Sequence, residues 1–158
     1  MNKKLRSITL IIVALLFISA SSVCCATTDN TAAIEEELQL FLAANNGQMP
    51  EGGIMPRTAI YPLYGITFTR SFLTQKLSRS NGCTASVTFN GIISGNNPIC
   101  ISVVDYKTQH VITSTSIPAN ERRVISWTPE ELSGYSDVCV FFTTFKDSTQ
   151  TISGSITY

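Results

Sequence analysis

The sequence predicts an all-β protein: a single antiparallel β-sandwich of about seven strands, preceded by a signal peptide, one short amphipathic helix and a linker rich in proline and glycine. Three observations support this class. Apolar and polar residues alternate with a period of two in most segments after residue 63, and no helices alternate with them. Residues 138–145 are apolar on both faces, so other segments must cover both sides. Charged residues make up only 14% of the 158 residues, which suits an exported β protein.

The first 26 residues have the layout of a secretory signal peptide. Three basic side chains within residues 3–6 precede an uncharged apolar stretch over residues 8–18, and small or polar residues follow. We expect cleavage near Ala26, with a site after Ala20 or a retained N-terminal anchor as the alternatives. Cleavage at Ala26 leaves eight basic and eleven acidic residues. The protein is then secreted or extracytoplasmic, and an uncleaved signal peptide is its one expected membrane contact.

The remaining charge also bears on the partner. The full chain has a net charge of zero, and the mature chain is mildly acidic. A nucleic-acid-binding protein normally carries a basic patch or stripe, so we expect no nucleic-acid partner.

Residues 27–47 are expected to hold one amphipathic helix. Its apolar residues recur at spacings of three and four and share one face: Ala33, Ile34, Leu38, Phe41 and Leu42. The polar face is acidic and lacks the basic residues of a membrane-surface helix. We therefore expect the helix to pack on the edge or open end of the β domain; an arm for a membrane or a partner is the alternative. Residues 48–62 are the linker, and residues 63–158 are the β-sandwich domain.

The strands of the β domain are separated by recognisable turn residues. Asn81-Gly82 is a strong signal for a tight hairpin turn, and Asn90-Gly91 ends the strand that follows it. The candidate strands in chain order cover residues 66–72, 83–89, 99–103, 110–117, 122–127, 138–145 and 151–158.

The sequence offers little catalytic chemistry. His110 is the only histidine, no enzyme motif is present, and we expect no cofactor and no metal. Glycoside hydrolysis is the least demanding exception, because it needs only two carboxylates facing each other across a groove. Asp105, Glu121, Asp137 and Asp147 are the candidates, since all four lie near strand ends. We therefore predict a non-catalytic protein.

Two further features concern single residues. Trp127 is either a platform for stacking a sugar ring or, in its row with Ile125, a core residue. Cys100 and Cys139 lie in the two strands that are apolar on both faces, which predicts a central pair and a Cys100–Cys139 disulfide in an oxidising compartment. The alternative is that Cys83, Cys100 and Cys139 are three unpaired thiols.

These observations predict a secreted or cell-surface, non-catalytic module for adhesion, assembly or ligand binding. Its partner would be a protein or a glycan at the cell surface. The alternatives are a secreted hydrolase acting on a surface glycan or peptide, and a carbohydrate-binding module. An exposed aromatic surface or a polar cleft would favour ligand binding or catalysis, whereas a covered Trp127 without a cleft would favour a structural role.

Overall fold

A computed structural model describes residues 29–51, 59–79 and 85–158. These residues form one helix and nine strands, which are α1 (Asp29–Ala44), β1 (Ile60–Phe68), β2 (Ser71–Leu73), β3 (Leu77–Ser78), β4 (Val87–Ser94), β5 (Ile99–Asp105), β6 (Val111–Ile117), β7 (Arg122–Trp127), β8 (Asp137–Thr143) and β9 (Gln150–Thr157). The predicted signal peptide, the Asn81-Gly82 turn and Cys83 lie outside the described residues.

The strands form two antiparallel sheets, so the predicted all-β sandwich is confirmed. The four-stranded sheet has the order β1-β9-β4-β7. The five-stranded sheet has the order β2-β8-β5-β6, and β3 pairs with β8 beside β2. The predicted strand over residues 66–72 is wrong, because the chain leaves the four-stranded sheet after Phe68 and enters the other sheet at Ser71.

The main core lies between the sheets and is filled by the inward-facing apolar side chains of the alternating strands. Val87, Phe89 and Ile93 of β4 face Val138, Val140 and Phe142 of β8 within one buried cluster. The rings of Phe89 and Phe142 meet edge to face, with centroids 5.7 Å apart, which is a favoured arrangement for aromatic pairs. Each sheet therefore contributes one apolar face to this core.

Helix α1 covers the outer face of the five-stranded sheet. Ile34, Leu38 and Leu42 are buried in a second cluster, together with Cys139 and Phe141 of the sheet. The expectation that the helix packs on the edge or open end of the domain is therefore wrong. Within the described residues, no helix combines the length and apolarity that a membrane crossing requires.

An ion pair fixes the helix to the turn between β1 and β2. Glu37 is almost fully buried, and its two carboxylate oxygens accept hydrogen bonds from the guanidinium of Arg70, one of them at 2.7 Å. The hydrogen bonds and the negative charge of Glu37 raise the pKa of Arg70 above its usual range. This pairing satisfies a carboxylate that would otherwise be costly to bury.

Candidate functional site

Trp127 lies in the core between the sheets and has only 3% of its surface exposed. Its ring therefore has no open face on which a sugar could stack, and the prediction of a stacking platform is wrong. The alternative, a core residue in a row with Ile125, is confirmed, since Ile125 also packs against this core.

The predicted Cys100–Cys139 disulfide is also wrong. Strands β5 and β8 are neighbours, as expected, but their register places Cys100 opposite Thr143 and Cys139 opposite Val104. The two cysteines are thus four register positions apart, about 13 Å along the strands, whereas a disulfide needs Cα atoms within about 7 Å. Burial under α1 raises the pKa of the Cys139 thiol to about 12, so this group is an inert part of the second core cluster.

The four candidate carboxylates are divided between the two ends of the sandwich: Asp105 and Asp137 lie at one end, and Glu121 and Asp147 lie at the other. Asp105 ends β5, and Asp137 begins the neighbouring strand β8. Asp105 lies opposite Val138, so Asp105 and Asp137 are on opposite faces of the five-stranded sheet. Asp105 accepts hydrogen bonds from the turn that follows it, including one of 3.0 Å from the amide of Thr108. Ser78 donates a hydrogen bond of 2.7 Å to Asp137.

At the other end, Glu121 pairs with Arg123, and Asp147 lies 3.7 Å from Arg70. Every candidate is therefore engaged by a neighbouring side chain or turn, as structural carboxylates usually are.

The only histidine and a shallow concavity lie near the β5–β6 turn. His110 is exposed, and its Nδ1 is 3.4 Å from the carboxylate of Glu35 on α1. The concavity, of about 300 Å³, is lined by six residues: Gly47, Gln48, Met49, Glu51, Tyr106 and Gln109. Among the described residues, this lining contains no Ser, Thr, Cys, Lys or His and a single carboxylate, that of Glu51. Within the described ranges, no three residues among His, Cys, Asp and Glu are grouped so as to hold a metal ion.

Within the described residues, the helix lies on the five-stranded sheet and leaves the outer face of the four-stranded sheet uncovered; we call this outer face the open face. The strand registers arrange its side chains in four cross-strand rows. Each row is given in the strand order β1, β9, β4, β7. The first two rows are Ile60–Thr157–Thr88–Ser126 and Pro62–Ser155–Asn90–Val124. The next two are Tyr64–Ser153–Ile92–Arg122, in which Tyr64 lies at a bulge, and Thr67–Thr151–Ser94, which has no β7 residue. With strands about 4.8 Å apart and rows about 7 Å apart, the open face measures roughly 15 by 20 Å.

Hydroxyl groups dominate the open face. Eight of the fifteen residues in the four rows are Ser or Thr, and neighbouring hydroxyls bond across strands. The hydroxyls of Thr88 and Ser126 are 2.8 Å apart, and those of Thr67 and Thr151 are 3.3 Å apart. Arg122 is the only charged residue in the four rows, and it donates a hydrogen bond of 3.2 Å to the amide oxygen of Asn90. The face is therefore polar but nearly uncharged.

Three large apolar or aromatic side chains rise from the rim of this polar surface. Tyr64 on β1 is 86% exposed, Val124 on β7 is 65% exposed, and Ile60 at the start of β1 is 56% exposed. Tyr64 stands beside Gly65, whose left-handed backbone (φ 61°) forms the bulge of β1. The bulge interrupts the pairing of β1 with β9 at Tyr64, and bulges at sheet edges typically re-aim the side chains beside them.

Sequence reasoning missed Tyr64. The linker was expected to extend through residue 62, so the outward positions of β1 received no attention. The available signal was the pair Leu63-Tyr64, an inward and an outward residue of one strand. Which outer face stays uncovered depends on where α1 docks, and the sequence pattern of the helix does not contain that information.

Comparisons with known proteins give weak similarities of fold. No protein-family model matches the chain, and no curated protein is significantly similar to it. A solved structure described as "CBM4 structure and function" is 12% identical, with 66% of this chain and 73% of that chain covered and a TM-score of 0.41. The "T13 IBDV viral particle" is 9% identical over 70% of this chain and 35% of that chain, with a TM-score of 0.38. The "CBM36-1 domain of a multidomain xylanase from the hindgut metagenome of Trinervitermes trinervoides" is 10% identical over 71% and 91%, with a TM-score of 0.33. Because all three TM-scores are below 0.5, these similarities support no argument about ligand or activity.

Proposed function

We propose that this protein is an exported, non-catalytic binding module, and that it binds a neutral glycan chain on the open face of its four-stranded sheet. The observation that supports this proposal is the 86% exposed ring of Tyr64 at the rim of a hydroxyl-rich, nearly uncharged surface. Tyrosine is enriched at binding interfaces, because its ring offers apolar contact area and its hydroxyl offers a hydrogen-bonding group.

The chemistry of the open face matches the two surfaces of a sugar ring. A pyranose has apolar C–H faces, which pack against an aromatic ring, and a rim of hydroxyl groups, which exchange hydrogen bonds with polar side chains. Tyr64 would supply the aromatic contact, and Asn90 and the Ser and Thr hydroxyls of the open face would supply donors and acceptors within about 20 Å of it. Short side chains on a regular sheet lose little conformational entropy on binding, which favours recognition by a flat surface.

The charge of the open face argues against the other ligand classes. A polyanion such as nucleic acid would meet one arginine there, where several basic residues are usual. Protein interfaces are enriched in aromatic residues at a buried centre, whereas the most exposed apolar and aromatic residues of this face, Ile60, Tyr64 and Val124, stand on its two edge strands. The engaged carboxylates at the strand ends support a module that binds and does not hydrolyse its ligand.

Binding to a panel of neutral polysaccharides tests this proposal. Residues 27–158 should be retarded in native gels that contain one of these polymers, and isothermal titration with its oligosaccharides should give the affinity. Tyr64→Ala should weaken binding at least about tenfold, equivalent to about 1.4 kcal/mol. Tyr64→Phe keeps the ring and should bind nearly as well as the original chain.

Leu40→Ala is the matched control, because Leu40 is an exposed large side chain on α1, which lies on the other sheet. It should leave binding unchanged. Failure of the protein to bind any neutral polysaccharide would reject the proposed ligand class, and equal binding by Tyr64→Ala would reject the proposed surface.

A further inference from the structure

The outward side chains of the open face differ in length from strand to strand, and the shortest ones follow β9. All four outward residues of β9 carry a hydroxyl group on a short side chain, and they are Thr151, Ser153, Ser155 and Thr157. On the neighbouring edge strand β1, three outward residues are exposed and larger than serine: Ile60, Pro62 and Tyr64. The surface over β9 is therefore lower than the surface over β1.

In the middle two rows of the open face, larger side chains stand on both sides of β9. In the second row, Pro62 of β1 and Asn90 of β4 flank Ser155. In the third row, Tyr64 and Ile92 flank the other serine of β9 in the same way. Both serines are only partly exposed, although α1 is packed on the other sheet. The β9 side chains thus form the floor of a shallow channel with walls on β1 and β4, which we call the hydroxyl channel.

The two end rows contain no large side chain in the path of the hydroxyl channel. At one end, Thr151 lies between Thr67 and Ser94. At the other end, Thr157 lies beside Thr88 on the β4 side. Since these five side chains are as short as those of the floor, the four described rows leave the channel open at both ends. With rows about 7 Å apart, its length along β9 is roughly 20 Å.

We infer that the hydroxyl channel binds an internal stretch of an unbranched neutral polysaccharide, with the polymer lying along β9. This inference rests on the glycan binding proposed above, and it adds the direction of the polymer and the part of it that is recognised. Strands β1 and β4 are about 10 Å apart across β9, which leaves room for one extended polymer chain. Because both ends of the channel are open, the polymer continues beyond the site and no chain end is required.

The chemistry of the floor and the walls suits a sugar ring that stands between them. A pyranose that packs a C–H face against Tyr64 turns its hydroxyl edge toward the serines of the floor, which both donate and accept hydrogen bonds. The amide of Asn90 offers a donor and an acceptor from the opposite wall. These floor and wall residues are uncharged, and Arg122 lies beyond Ile92 on β7.

The shape of the channel also favours a polymer that runs along the strands over one that crosses them. Ligand sites are usually concave, because a concave surface buries more of the ligand than a flat one does. A polymer that crossed the strands would have to pass over both walls and would lose contact with the hydroxyl groups of the floor.

Titration with oligosaccharides of increasing length, taken from a polysaccharide that the protein binds, tests which part of the polymer is recognised. Affinity should rise with each added sugar until the oligosaccharide is as long as the channel, and should then stay constant. One long polymer chain should take up several protein molecules, and reducing its terminal sugar with borohydride should leave the affinity unchanged. A stoichiometry of one protein molecule per polymer chain, or loss of binding after this reduction, would overturn the inference.

Two matched substitutions in the second row test the direction of the polymer. Ser155→Tyr fills the floor of the channel and should weaken binding at least about tenfold, whereas Val124→Tyr, two strands away on β7, should weaken it less than about threefold. Tyrosine suits an exposed strand position, so both variants should fold, which circular dichroism checks. Thr151→Tyr obstructs one end of the channel and should weaken the binding of long oligosaccharides more than that of the shortest one bound.

The outcomes separate this inference from the proposed function. If folded Ser155→Tyr binds as the original chain does, or if Val124→Tyr causes the larger loss, the polymer does not lie along β9. The glycan-binding proposal survives that result as long as the original chain binds and Tyr64→Ala does not. A protein that binds no neutral polysaccharide would overturn both.

Discussion

The two outer faces of the sandwich differ in composition, and that difference accounts for which face the helix covers. In the five-stranded sheet, every residue of β5 is buried and only the first residue of β8 is partly exposed. In the four-stranded sheet, β4 and β9 alternate between buried residues that are mostly apolar and more exposed residues that are mostly polar. Outward side chains that are apolar require a cover, whereas Ser and Thr side chains remain stable in water.

The comparison also separates stability from binding. The covered face gains stability from burying Ile34, Leu38 and Leu42 against the sheet, and its side chains are unavailable to a ligand. The four-stranded sheet contributes to the core only through its inward residues. The outward residues, which form the open face, are therefore free to serve recognition. Substitutions on the two faces should therefore have opposite consequences for folding and for binding.

The largest expected effect is on the helix side. Leu38→Ala should lower the free energy of unfolding by about 2–5 kcal/mol, because Leu38 is fully buried against the sheet and its loss leaves a cavity. Leu40→Ala, two residues along the same helix but 54% exposed, should change it by no more than about 0.5 kcal/mol. Urea denaturation measures both. Equal small effects would mean that the helix is not docked on this face in solution.

The same substitution on both faces gives a direct test of the comparison. Val104→Thr places a hydroxyl among buried apolar residues under α1 and should cost about 1–3 kcal/mol. Val124→Thr keeps the branched shape on the exposed edge of the open face and should cost at most about 0.5 kcal/mol. If denaturation midpoints fall equally for both, some part of the chain packs on the open face and that face is not free for a ligand.

The last expected effect concerns alkaline pH, and it is small within any one pH unit. The thiol of Cys139 has an ordinary pKa of 9.0, and burial raises it to about 12 in the folded protein. Between about pH 9 and 12 the unfolded thiol loses its proton while the folded one keeps it, so this group lowers stability as pH rises, by at most about 1.4 kcal/mol per pH unit. The denaturation midpoint should therefore fall less steeply above pH 9 in Cys139→Ala than in the original chain. Equal slopes would mean that Cys139 is not shielded by α1.

Much of the fold could be predicted from the sequence, because strand alternation reports directly which side chains face the core. Residues 138–145 were expected to be apolar on both faces, and the two core clusters confirm this, since Val138, Val140 and Phe142 lie in one cluster and Cys139 and Phe141 in the other. The apolar stripe of the helix was also predicted, but a stripe does not say which surface it contacts. The requirement that residues 138–145 be covered on both sides already indicated where a helix was needed.

The residue-level predictions failed where they depended on register. Cys100 and Cys139 were expected in neighbouring strands, and they are, but both lie near the starts of their strands. In an antiparallel pair the starts of two strands are at opposite ends, so the two residues cannot meet. Tyr64 was missed for a related reason, since its exposure depends on the placement of α1, which is decided by packing between distant segments.

The pairing of the first strand with the last has a consequence for the rate of folding. Ile60 of β1 lies opposite Thr157 of β9, so this contact closes a loop of almost one hundred residues. Helix α1 likewise docks on β6 and β8, which follow it by 67 residues or more. Native contacts between such distant segments lose chain entropy before they gain energy, and all-β domains of this kind fold in milliseconds to seconds. Until β9 is in place, β1 and β4 lack the strand that lies between them, so the interval before that step is when the chain is most exposed to aggregation and proteolysis.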